Sequence, residues 1–207
     1  MRAIGLTGSI ASGKSSVCRI LDAFPIIEAD LVAREVVEPG QVGLARVVDA
    51  FGPDVLMEDG RLNRSALRTI IANSGEAQQQ LNGILHPLII GEIQARIQRL
   101  RDRSEAVVFI CAALMLETGS YRNYDTIVLI TAPFEKRLRR LLQRDGMDEE
   151  TARNLMSRQW PDERKRPLAT VEIVNDGTLE DLEARTWDAM ARLNIERPPA
   201  ASLTSTG

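Results

Sequence analysis

Residues Gly8-Ser9-Ile10-Ala11-Ser12-Gly13-Lys14-Ser15 satisfy G-x-x-x-x-G-K-[ST] at every fixed position. The apolar run Ala3-Ile4-Gly5-Leu6 precedes them, and Val17, Ile20, Leu21 and Phe24 follow with helical spacing. A strand, a glycine-bearing loop and a helix start in this order allow few folds. Glycines let backbone N–H groups turn inward around phosphate oxygens, and the helix start adds the positive end of its dipole. In such a loop Lys14 places a point charge on the β and γ phosphates of a nucleotide, and the Ser15 hydroxyl is the expected ligand of magnesium. The bland alternative is a Gly/Ser-rich turn that merely joins strand to helix.

At 207 residues the chain has room for one sizeable α/β domain with insertions, not for two full domains. Hydrophobic residues at 44% and charged residues at 27% describe an ordinary soluble globular protein. No apolar run reaches the roughly 18 residues that span a membrane, and Lys14 interrupts the only early apolar stretch, so neither an anchor nor a secretory signal is expected. Cys18 and Cys111 both lie in apolar sequence and read as reduced core thiols rather than a disulfide or metal site. The expected compartment is the cytoplasm.

A net charge of −3 argues against a general nucleic-acid binder. From Lys136 to Arg166, however, ten Lys+Arg face six Asp+Glu. Lys14, Lys136 and Lys165 are the only lysines, so the basic character is arginine. Most of these arginines are a solvated face; a few suit a polyphosphate clamp, for which the guanidinium fork is well shaped.

Strand-like segments fall at Ile4–Thr7, Ile26–Ala29, Ala106–Cys111, Thr126–Ile130 and Val171–Val174, with helical patterns between them. This predicts a P-loop-type parallel five-stranded sheet with helices on both faces. The long interval between the second and third strands carries helical patterns at Leu44–Phe51, Ser65–Ala72 and Ala77–Leu100. A simple crossover needs only about a dozen residues, so residues 31–105 are expected to form a helical insertion that receives a second substrate. The core is then 1–30, 106–144 and 170–193. After Pro133 a helix runs to about Arg144, and Asp148 caps a second one to about Gln159. Residues 145–169 are expected to form a lid, and the tail 197–207 to be disordered.

Asp30, at the carboxyl end of the second strand, is the candidate acceptor for a hydroxyl proton; it could equally cap the helix that follows. Glu28 would point to the same side of that strand. His86, the only histidine, stands in Leu85-His86-Pro87 where a helical pattern pauses, and reads as structural as readily as functional. Arg140 and Arg144 lie one turn apart and point the same way, whereas Arg137 and Arg139 read as solvent-facing.

Several stretches together resemble bacterial dephospho-coenzyme A kinases over roughly residues 2–190. They are the loop with its strand, Asp30-Leu31-Val32-Ala33-Arg34, Phe51-Gly52, Asp59-Gly60-Arg61-Leu62-Asn63-Arg64 with Leu67, Leu85-His86-Pro87, Arg140 with Arg144-Asp145-Gly146, Gln159 and Asn175. The resemblance implies phosphorylation of the ribose 3′-hydroxyl of dephospho-CoA by ATP, the last step of coenzyme A biosynthesis, with magnesium. It implies Asp30 as base, Lys14 and Arg140 as phosphate stabilisers, and Ser15 as the magnesium-linked hydroxyl. Gly8 to Ser16, Arg144 and Asn175 fall on the ATP side, and Arg34, Arg64 and His86 on the acceptor side. The implied partners are these two small molecules, with no nucleic acid or membrane and a monomer or weak homo-oligomer. Another small-molecule kinase of this fold, or a catalytically silent nucleotide-binding module, is the alternative. A guanine-reading N-K-x-D motif is missing from Val174-Asn175-Asp176-Gly177. The chain departs from the family pattern at Glu28, Ala113, Arg137 and Thr170, and it carries Ser9 and Ala11 where glycine is common. The loss of a glycine matters only where φ is positive.

Overall fold

The computed structural model describes residues 1–198; the part of the expected disordered tail from 199 onward lies outside the described residues. Five strands, β1 (Arg2–Gly8), β2 (Ile26–Glu28), β3 (Val107–Cys111), β4 (Thr126–Thr131) and β5 (Val171–Val174), form one sheet in the order β2-β3-β1-β4-β5. β1 runs parallel to both β3 and β4, and β4 parallel to β5. Every residue of β3 and β4 is buried. That explains their unbroken Val/Ile/Leu runs, since a parallel strand covered on both faces has no polar side to alternate with. The expected parallel α/β sheet is present.

The chain divides into two compact units, one comprising Arg2–Ile26 with everything from Val107 onward, the other Ile27–Ala106 with Met1. In the first, α1 (Lys14–Ile20) and α9 (Leu179–Arg192) supply Val17, Cys18, Leu182 and Met190 to a core with Ile4, Leu6, Phe109, Val128 and Ile173. α1 stops at Ile20, short of the expected Phe24, which instead packs edge-on to Phe109 at 5.7 Å. A second cluster joins α6 (Phe134–Asp145) to α7 (Glu149–Ser157) through Leu138, Leu141, Ala152 and Met156, with Ile10 and Ala11 packed against it. Asp148 caps α7 by accepting from the Thr151 N–H at 2.8 Å. The short helix α8 (Asp162–Lys165) leads back to β5.

The second unit holds α2 (Ala29–Glu35), α3 (Val42–Phe51), α4 (Arg64–Asn73) and α5 (Gly75–Asp102) around Val37, Leu44, Val47, Val55, Leu62, Leu67 and Leu81. Asn63 and Ser74 cap α4 and α5 through their side-chain oxygens. The pause expected at Leu85-His86-Pro87 does not occur. Pro87 lies inside the 28-residue α5. A proline removes one ladder hydrogen bond at a cost of about 3 kcal/mol. α5 packs on α2, α3 and α4, and that burial outweighs the missing bond.

Candidate functional site

The loop between β1 and α1 is built on two backbone features. Gly13 caps α1 at φ 105°, and Ala11 sits at φ 58°. Positive φ is free for glycine but costs an alanine about 1–2 kcal/mol. Ser9 shows no such φ. The two departures from glycine therefore differ: Ser9 is unstrained and Ala11 is not. The Ser12 N–H donates to Ser9 O at 3.0 Å and closes the turn.

Lys14 Nζ donates to Cys111 Sγ at 3.2 Å, at the carboxyl end of β3. Cys18 and Cys111 are both buried, with their sulfurs 2.9 Å apart. Ser15 is exposed in the first turn of α1, and Ser16 N donates to Gly13 O. Arg140, from α6, donates to Ala11 O at 3.4 Å and to Asn175 Oδ1 at 3.2 Å. Buried Asn175, just after β5, donates to Ser12 O at 2.8 Å. Gly8 to Ser16, Arg140 and Asn175 thus form one constellation. Arg144 does not join it: it is exposed and forms a two-point pair with its neighbour Asp145, which raises the guanidinium pKa and lowers that of the carboxyl.

In the helical unit, Asp30 lies in the first turn of α2 rather than at a strand end, and is exposed. Glu28 occupies the position before that helix without capping it, so the two carboxylates do not share one strand face. Arg64 Nη2 donates to the Arg34 carbonyl at 3.4 Å, bringing these two expected partners together. His86 is exposed on α5. Arg96 pairs with Glu35 and, at 2.9 Å, with Glu92, tying α2 to α5. The hydrogen bond from Arg96 holds the Glu92 carboxyl below its ordinary range.

Arg137 corrects the expectation of a solvent-facing side chain. It is buried, donates to Ala132 O at 3.0 Å, and lies 3.8 Å from the Asp162 carboxylate. Thr170, just before β5, extends the pairing with β4, donating from its N–H to Ile127 O and accepting the Ile127 N–H on its hydroxyl. The Ala113 carbonyl accepts from Thr7 Oγ1 at 3.4 Å. Lys165, Glu117 and Asp162 were not singled out from sequence. Lys165 is fully buried beside the loop, and its one visible signal is being a lysine in an arginine-based segment.

The family model for dephospho-CoA kinase matches residues 2–181. A curated dephospho-CoA kinase of Corynebacterium glutamicum is 39% identical over 195 residues, covering 93% of this chain and 98% of the relative. Among solved structures, TT1252 from Thermus thermophilus aligns with a TM-score of 0.79 at 31% identity, covering 93% of this chain and 97% of that one. The dephospho-CoA kinase from Campylobacter jejuni aligns with a TM-score of 0.71 at 28% identity, covering 92% and 96%.

Proposed function

The chain belongs to the dephospho-CoA kinase family, and from that premise we infer that it transfers the terminal phosphoryl group of ATP to the ribose 3′-hydroxyl of dephospho-CoA. The observation that carries this reading is the convergence of Lys14, Arg140 and Asn175 on one positive-φ loop. Phosphoryl transfer needs little covalent help from protein; it needs positioning and charge stabilisation. Arg140 reaches the loop from another helix and so adds a cation to the one that Lys14 carries. Ser12 Oγ is buried with no hydrogen-bond partner among the described residues, the kind of donor that a bound anion satisfies.

Magnesium fits this donor set. Mg²⁺ takes one or two protein oxygens and fills its shell with phosphates and water. The exposed Ser15 hydroxyl follows Lys14. Among the described residues, no group of three or more His, Cys, Asp and Glu suits a metal. Ser15 would hold such a cation beside the nucleotide, where it would neutralise charge on the β and γ phosphates.

In the transfer, the 3′-oxygen forms its bond to the γ-phosphorus as the bond to the bridging oxygen of ADP breaks. Asp30 accepts the hydroxyl proton. Lys14 and Arg140 stabilise the charge spread over the γ oxygens and the leaving β-phosphate. Arg34, Arg64 and His86 hold the anionic acceptor. No helix among the described residues is long and apolar enough to cross a membrane.

The test is magnesium-dependent ADP release measured with dephospho-CoA, AMP, CMP and gluconate as acceptors. Release with dephospho-CoA alone supports the reading. Equal or greater release with another acceptor assigns the chain to a different kinase activity, and nucleotide binding without turnover on any acceptor marks a silent module.

A further inference from the structure

The arm from Gln159 to Lys165 carries a buried charge cluster that the transfer chemistry leaves unused. Lys165 Nζ pairs with Glu117 Oε1 at 2.9 Å and donates to Ser9 Oγ at 3.0 Å. Ser9 Oγ donates in turn to Asp162 Oδ1 at 2.8 Å, and the Arg137 guanidinium lies beside the other Asp162 oxygen. Two cations thus face two carboxylates, with Lys165 fully buried and Asp162 and Arg137 nearly so. Glu117 Oε1 also accepts the Trp160 N–H at 3.2 Å, while Glu117 Oε2 is buried without a partner among the described residues. One residue along, the Ile10 N–H donates to Gln159 Oε1 at 2.7 Å.

Ser9 and Ile10, the first variable residues of the loop, are therefore both held by side chains of this arm. A buried ion pair is weak evidence for a stability role, because desolvation offsets much of its attraction and apolar replacements are often as stable. A better reason lies in the loop. Ala11 at φ 58° is strained, and a strained residue keeps its conformation only where its surroundings over-determine it. Pre-organisation lowers the ordering cost of binding.

We propose that Lys165 is a positioning residue for the nucleotide: clamped by Glu117 and linked through the Ser9 hydroxyl to Asp162, it fixes the start of the loop so that ATP meets a preformed phosphate cradle. This rests on the reading of that loop as the ATP site. Ser9 is the connecting atom in this chain, since a glycine there has no hydroxyl to offer.

The test compares Lys165→Met, Ser9→Ala and the double variant Lys165→Met/Glu117→Leu with the wild-type full chain, each checked by circular dichroism and thermal melting. ADP affinity is read by calorimetry, and kcat and KM for each substrate by steady-state kinetics. Lys165→Met is expected to weaken ADP binding and raise the KM for ATP about tenfold, a change worth about 1.4 kcal/mol, with kcat and the acceptor KM nearly unchanged. Ser9→Ala is expected to act in the same direction with little loss of melting temperature. The double variant removes both charged partners, so it is expected to recover the fold but not the ADP affinity, and it carries the test if Lys165→Met alone does not fold. Wild-type ADP affinity in the folded double variant together with Ser9→Ala overturns the proposal, as does a fall in kcat and melting temperature with no change in the KM for ATP. A wild-type chain that binds neither ADP nor ATP refutes the ATP reading itself, and the proposal with it.

Discussion

Asn175 donates its side-chain amide to the Ser12 carbonyl at 2.8 Å, and a Cβ built on the next residue, Gly13, would lie 2.0 Å from that same nitrogen. The glycine of the loop is thus required twice, by its φ of 105° and by a buried neighbour with its own bond to keep. Asn175→Ala leaves the Ser12 carbonyl without that donor and should cost about 1–3 kcal/mol, seen in urea denaturation. Gly13→Ala should be more harmful than that in the wild-type chain. In the Asn175→Ala background its additional cost should shrink, because only the φ strain remains; a double-mutant cycle measures the coupling. Strict additivity would show that the two side chains do not compete for one space.

Ala11 is the place where a mutation should improve the protein. Ala11→Gly removes the penalty of φ 58° but adds unfolded-chain entropy, for a net gain of about 0.5–1 kcal/mol. For a chain of this length the melting temperature should rise by about 1–4 °C. Ser9→Gly should give no such gain, since Ser9 is unstrained and its hydroxyl bridges Lys165 to Asp162. If differential scanning calorimetry ranks the two variants in the opposite order, the account of the loop is wrong.

Asp30→Asn tests the proton acceptor. It keeps the shape and removes the basicity, so ADP affinity should hold while kcat falls by about 10²–10⁴-fold. Turnover within a few-fold of wild type would take Asp30 out of that role. A parallel loss of ADP affinity would mark a fault in folding rather than in proton transfer.

The helical unit should show an acid-sensitive tie between α2 and α5. The Arg96 hydrogen bond lowers the Glu92 pKa below the ordinary 4.5. A carboxyl with a depressed folded-state pKa contributes its stability in full above the ordinary value and loses it as pH falls through the folded one. Denaturation of wild type and Arg96→Met should therefore differ most near neutrality and converge in the acid range below that value. A gap that stays constant from neutral to acid pH would assign the effect to the packing of the arginine stem.

What could be read from the sequence was local. The loop, its strand and its helix occupy consecutive residues, so the spacing of Gly8, Gly13, Lys14 and Ser15 was enough to recognise them. The caps at Asp148 and the buried strands β3 and β4 were legible for the same reason. Arg137 was misread because its partner, Asp162, lies far along the chain, and helical spacing alone does not reveal such a pairing. Lys165 is conspicuous in sequence as one of three lysines, but its role is not legible there, because its partners Ser9 and Glu117 are remote along the chain. The break expected at Pro87 followed a sound local rule that tertiary packing of α5 overrode. Asp30 was placed one element early: β2 ends at Glu28, and the helix begins before the aspartate.

The identity of the transfer is read from its product. Purified protein is incubated with ATP, magnesium and dephospho-CoA, and the nucleotide products are resolved by mass spectrometry and phosphorus NMR. The expected product is coenzyme A carrying a new phosphate monoester on the ribose 3′-oxygen, formed in equal amount with ADP. ADP formed with inorganic phosphate and unaltered dephospho-CoA, or a phosphate on any other oxygen, would contradict it.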